Sequence, residues 1–133
     1  MKKFTSLTFV VITSFLGVNG QNTYTNLLCQ TSGGSPSATD LYNMGAALRV
    51  APQATKNYCG GPSTWGGTAA TWNTAAVNIC TGEESQFCIQ GSELGITVQE
   101  MAITCRNGAN LAGGVIQANG NDGNIAEVAI FHS

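Results

Sequence analysis

Five cysteines, a single histidine and two adjacent glutamates carry most of the reactive chemistry in this 133-residue chain. A structural zinc site takes four thiolate or imidazole ligands from closely spaced pairs. Here Cys29, Cys59, Cys80, Cys88 and Cys105 include no C-x-x-C pair, and His132 sits one residue from the C-terminus, so neither a metal site nor a cofactor is expected. In an oxidising compartment the same cysteines pair with each other, which predicts two disulfides and one odd thiol, with the connectivity open. Hydrolysis needs a base held beside a nucleophile or water. His132, at a frayed end, is expected to face solvent. Glu83 and Glu84 adjoin in one turn, whereas the carboxylates of a glycosidase flank a cleft from different elements. No catalytic residue is therefore assigned. What remains is aromatic: Tyr58, Trp65 and Trp72, with Tyr42 upstream. Aromatics of this kind either pack on a sheet, as their bulk favours, or stand on a loop as anchors for a partner. Tyr58, Trp65 and Trp72 are the candidate partner contacts.

The start of the chain says where such chemistry would take place. Met1-Lys2-Lys3 is a short basic segment, and Phe4 to Val18 form an apolar run of signal-peptide length, too short to span a bilayer. Val18-Asn19-Gly20 puts a small residue before the expected cut, giving a signal peptide over 1–20 and one secreted domain over 21–133. Removal of Lys2 and Lys3 leaves Arg49, Lys56 and Arg106 against seven acids. Three scattered cations cannot form the basic patch that phosphate backbones require, so nucleic acid is excluded as a partner, as is stable membrane insertion. The expected partner is a host protein or cell-surface component. The expected protein is an extracellular monomer, with a dimer through the odd cysteine and later uptake into host cells left open.

Hydrophobic patterning predicts the elements that would position these residues. Thr23 to Gln30 is a β-favouring strand closed by Ser32-Gly33-Gly34-Ser35-Pro36. Ser35 or Ser37 caps a helix whose apolar face is Leu41, Met44 and Leu48, running to about Val50 and stopped by Pro52. Residues 57–72 form a glycine-punctuated loop without a period, which Cys59 would pin to the body. Ala75 to Cys80 and Gln86 to Gln90 read as a hairpin around the turn at 81–85. Thr97 with Glu100 fits a capping box, and Ile96 with Met101 a hydrophobic staple, for a second helix with Val98, Ala102 and Cys105 on its face, ending near Asn107-Gly108. Leu111 to Ala118 and Asn124 to Phe131 close the chain as a hairpin across Asp122-Gly123. The order β-α-β-β-α-β-β predicts a disulfide-stabilised α+β fold, a two-layer ferredoxin-like sandwich with two helices on one face of an antiparallel sheet and an added edge strand.

Several segments, taken in order, resemble one group of proteins: Ser-Pro-Ser-Ala-Thr-Asp-Leu at 35–41, Ala-Ala-Val-Asn-Ile-Cys at 75–80, the helix closing on Cys105, Gly113-Gly114-Val115, and Glu127 to Ser133. The resemblance is to small secreted fungal proteins related to the α-subunit of the killer toxin carried by a virus of smut fungi, a group that includes candidate plant-pathogen effectors. It implies a ferredoxin-like sandwich, disulfides and no enzymatic site. The loop at 57–72 and the odd cysteine depart from that pattern. No dibasic pair follows Lys2-Lys3, which favours a stand-alone effector over a processed toxin subunit. Asn110 to Gln117 also resembles the closing strands of small fungal guanyl-preferring ribonucleases. There Gln117 would take the place of a catalytic histidine, and the second helix breaks the order of elements, so that alternative is a ribonuclease-like protein without activity.

Overall fold

The computed structural model describes residues 22–62, 68–82 and 86–133. The predicted signal peptide, Trp65, Glu83 and Glu84 lie outside the described residues.

The first strand forms where β-favouring residues predict it, shifted by one residue. β1 (Asn22–Cys29) pairs antiparallel with β6 (Gly114–Gly120) and is interrupted by a bulge between Thr25 and Leu28. Asn26 takes the left-handed conformation there, with φ 59°, one that asparagine tolerates better than most residues. Of the two caps on offer for α1 (Ala38–Leu48), Ser37 takes the role, its side chain accepting the Asp40 N–H. The helix ends at Leu48, two residues short of Val50.

The segment at 57–72 is a loop in part only: β2 (Asn57–Gly60) and β3 (Ala70–Trp72) occupy its two ends. The expected hairpin between 75–80 and 86–90 is not formed. β4 (Ala75–Thr81) pairs with β3 and with β7 (Ile125–His132), while β5 (Phe87–Gln90) pairs with β2 in a separate two-stranded sheet. Cys59 and Cys88 stand directly opposite in that small sheet and are bridged, a long-range partner that local alternation cannot reveal. The main sheet runs β1-β6-β7-β4-β3, antiparallel throughout.

α2 (Gly91–Cys105) begins six residues before the predicted cap. Thr97 is mid-helix, and its hydroxyl donates to the Glu93 carbonyl at 3.0 Å. The glycines at 91 and 95 argue against helix locally, but Gly95 is where α2 crosses α1. A Cβ there would lie 2.5 Å from the Gly45 carbonyl oxygen, and one on Gly45 2.6 Å from the Gly95 carbonyl oxygen. Arg49 Nη1 donates to Gln99 Oε1 across the same interface at 2.6 Å. The final hairpin forms as predicted, with Gly123 at φ 89° and Asp122 Oδ1 accepting from the Asn124 N–H.

Leu41, Met44 and Leu48 of α1 and Leu94, Val98 and Met101 of α2 share one core with Val77, Ile79, Ile116, Val128 and Ile130. The pairings Val77↔Ile130, Ile79↔Val128 and Ile116↔Val128 put these strand residues on one face of the sheet, since side chains alternate along a strand. The result is an α+β protein with both helices packed on that face.

Candidate functional site

Two disulfides brace the molecule. Cys29–Cys105 joins the end of β1 to the end of α2, and Cys59–Cys88 joins β2 to β5. Cys80 lies outside both bridges, half-buried on β4 opposite Glu127.

The aromatic candidates do not form one unit. Tyr58 is half-buried in β2 and packs on the core. Trp72, on the edge strand β3, is 42% exposed, and Tyr42, on α1, is 43% exposed. The turn after Trp72 is held firmly: Asp40 accepts from the Thr74 hydroxyl at 2.6 Å, the Thr74 N–H at 3.2 Å and Asn73 Nδ2 at 3.3 Å. Thr74 Oγ1 in turn accepts the Ser37 N–H. The Thr74 hydroxyl, ahead of the other donors, stabilises the ionised Asp40 carboxyl and holds it below its ordinary pKa. Trp72 thus stands exposed beside a pinned turn. Between the helices, Tyr42, Asn43, Ala102, Ile103 and Arg106 line a groove of about 280 Å³, with Ile103 60% exposed.

A carboxylate that sequence reading counted only towards net charge is buried. Glu93, in the first turn of α2, is 2% exposed. Its Oε1 accepts from Asn22 Nδ2 at 3.1 Å. Tyr24, also 2% exposed, lies close enough for its hydroxyl and the Glu93 carboxyl to shift each other's titration, although neither that hydroxyl nor Glu93 Oε2 reaches hydrogen-bond geometry. Burial first of all raises the Glu93 pKa, and burial followed by the Glu93 charge raises that of Tyr24. With α2 started at Gly91, the i, i+4, i+8 spacing of Glu93, Thr97 and Met101 would have put this glutamate on the buried face.

Asn22 also lines a polar cleft of about 250 Å³ with Gln86, Phe87, Asn121, Asp122 and Asn124. His132 is exposed, its Nδ1 2.9 Å from the Ser133 carbonyl oxygen. Gln117 joins an amide network on the sheet face turned away from the helices, accepting from Asn26 Nδ2 at 2.9 Å and donating to Asn119 Oδ1 at 3.1 Å. Among the described residues neither His132 nor Gln117 is hydrogen-bonded to a titratable side chain. Among the described residues no group of three or more His, Cys, Asp or Glu could hold a metal ion, and no helix is long and apolar enough to cross a membrane. No protein-family model matches the chain, and no curated protein matches it.

Proposed function

We propose that the chain is a secreted, non-enzymatic fungal effector that acts outside the producing cell by binding a host target and altering infection or immunity. The observation that carries this reading is the exposure of Trp72 at the end of β3, beside a turn pinned by Asp40. A large aromatic on a backbone that is already ordered adds no backbone entropy cost when a partner covers it, which favours an interface anchor. Tyr42 and Ile103 extend the exposed apolar surface onto the helix pair. Two disulfides in a short chain support an oxidising destination, and the run Phe4 to Val18 supports export. The ferredoxin-like relationship belongs to this proposal at the level of layers. Two helices back an antiparallel sheet, but β1 stands at the sheet edge and has β6 as its single neighbour.

The test is expression in host leaf tissue, with and without residues 1–20, beside the Trp72→Ala variant. A change in immunity, growth or cell death that Trp72→Ala weakens is expected. No response from either form overturns the effector reading. Growth inhibition of fungal cells with no leaf response would replace it with a killer-type toxin.

A further inference from the structure

A polar cleft at one end of the main sheet plays no part in the reading above. The start of β1, the start of β5 and the turn between β6 and β7 meet there around an open depression of about 250 Å³. Sites for drug-sized ligands run to about 300–1,000 Å³, so this one has room for a single ring. Its polar groups are Asn22, Gln86, Asn121, Asn124 and Asp122, and no cation lines it among the described residues. Each amide presents donors and an acceptor side by side. A sugar hydroxyl also donates and accepts, so such a wall pairs with neutral hydroxyls, whereas an anion would meet Asp122 without a compensating charge.

The wall is built in advance. Asp122 Oδ1 accepts the Asn124 N–H at 3.0 Å and Oδ2 accepts Asn124 Nδ2 at 3.1 Å, which fixes that amide. A Cβ on Gly120 would lie 2.9 Å from Asp122 Oδ1 and 3.3 Å from Phe87 Cε2, so a glycine lets carboxylate and ring come together at the floor. The Cys59–Cys88 bridge secures β5 next to Gln86 and Phe87. Behind Asn22 lies a second feature, the buried Glu93 carboxyl, whose Oε2 and the neighbouring Tyr24 hydroxyl fall short of hydrogen-bond geometry. Asn22 Nδ2 donates to Glu93 Oε1 at 3.1 Å, which leaves Asn22 Oδ1 outside that contact on a residue that lines the cleft. A buried acid with incomplete hydrogen bonding costs stability, and its retention behind a cleft residue is accounted for if that residue must be held in one orientation.

We propose that this cleft binds one ring of a neutral, polyhydroxylated ligand, the terminal sugar of an uncharged glycan, with Asn22 positioned by Glu93. The assignment does not depend on the effector reading, which rests on Trp72.

A ligand of one ring binds weakly, with Kd on the order of 1 mM. The experiment is a two-dimensional NMR titration of the disulfide-intact secreted protein with the neutral methyl glycosides of glucose, mannose, galactose and N-acetylglucosamine. Glucuronate and uridine serve as an anion and a neutral base-bearing comparison. The side-chain amide signals of Asn22, Gln86, Asn121 and Asn124 should shift with at least one neutral glycoside and not with glucuronate. The Gln86→Ala/Asn121→Ala variant, its remaining spectrum unchanged, should bind about tenfold or more weaker. No shift with any of the four glycosides, equal binding by the variant, or preference for glucuronate or uridine would overturn the proposal. Carrying the same variant into the leaf assay separates the two readings, since the effector activity should survive loss of the cleft.

Discussion

The two helices are secured by opposite means. α1 is held at its start: Ser37 caps it, and Asp40 in its first turn collects three hydrogen bonds from Asn73 and Thr74 at the surface. α2 has no side-chain cap at Gln90 and places a poorly satisfied Glu93 in its first turn, inside the protein. Its far end is instead tied covalently to β1 through Cys105. A helix that buries ten of its fifteen residues is stabilised mainly by packing, and can dispense with the local signals that a more exposed helix needs.

The largest break in that comparison is removal of the covalent tie. Cys29→Ala/Cys105→Ala opens a link across 76 residues, and the loop-entropy estimate for that separation is about 4 kcal/mol. Denaturant unfolding should show a midpoint lowered accordingly. A loss under about 1 kcal/mol would show that the bridge adds little to the packing, and the covalent half of the contrast fails. Next in size is the helix crossing. Alanine is normally favoured over glycine in a helix interior by up to ~1 kcal/mol. At Gly45, however, a Cβ would meet Gln99 Cγ at 2.5 Å, the Gly95 carbonyl oxygen at 2.6 Å and Val98 Cγ2 at 2.8 Å. Gly45→Ala is therefore expected to destabilise, by about 1–3 kcal/mol as overpacking does. A stabilised variant would mean that the helices can part at no cost.

These contacts also explain how far the sequence could be read. β1, α1 and the β6–β7 hairpin are legible because their signals are local: β-favouring residues before a breaker cluster, a Ser37 cap and an Asp-Gly turn. Two features were not. The apparent capping box of Thr97 and Glu100 points to a start at Thr97, and nothing local to Gly91 or Gly95 reveals that Gly95 lies against Gly45. β4 and β5 look like a hairpin until the Cys59–Cys88 bridge pairs β5 with β2. Both errors arise where a tertiary partner overrides a local preference. The candidate sites suffered in the same way. Glu93 and Asn22 are 71 residues apart, and nothing in either neighbourhood announces the other. Of the aromatic candidates, Trp72 stands exposed, whereas Tyr58 leans on the core, and which does which depends on the sheet each strand joins.

The smallest effects are the pH dependences of the two first-turn acids, and their signs are opposite. Hydrogen bonds from Thr74 and Asn73 lower the Asp40 pKa from 3.8. Its contribution is therefore present above pH 3.8 and lost as pH falls through the lowered value. Because Asp40 is near the surface, the loss should be slight, and Asp40→Asn should remove it. Burial raises the Glu93 pKa from 4.5, so folding favours its protonated form. That contribution is complete below pH 4.5 and disappears as pH rises through the raised value. Glu93→Gln keeps the shape, still accepts from Asn22 and offers a donor towards Tyr24, so the variant should be more stable than the native protein at pH 7 and no more stable at pH 4. Glu100 is shifted in the same direction by burial, and thus a shallower decline above pH 4.5 should persist in the variant. Thermal unfolding from pH 3 to 8 on the native protein and both variants resolves the two limbs. Should Glu93→Gln leave the upper limb unchanged, Glu93 is not an unmet charge inside the fold, and the opposition between the two helix starts dissolves.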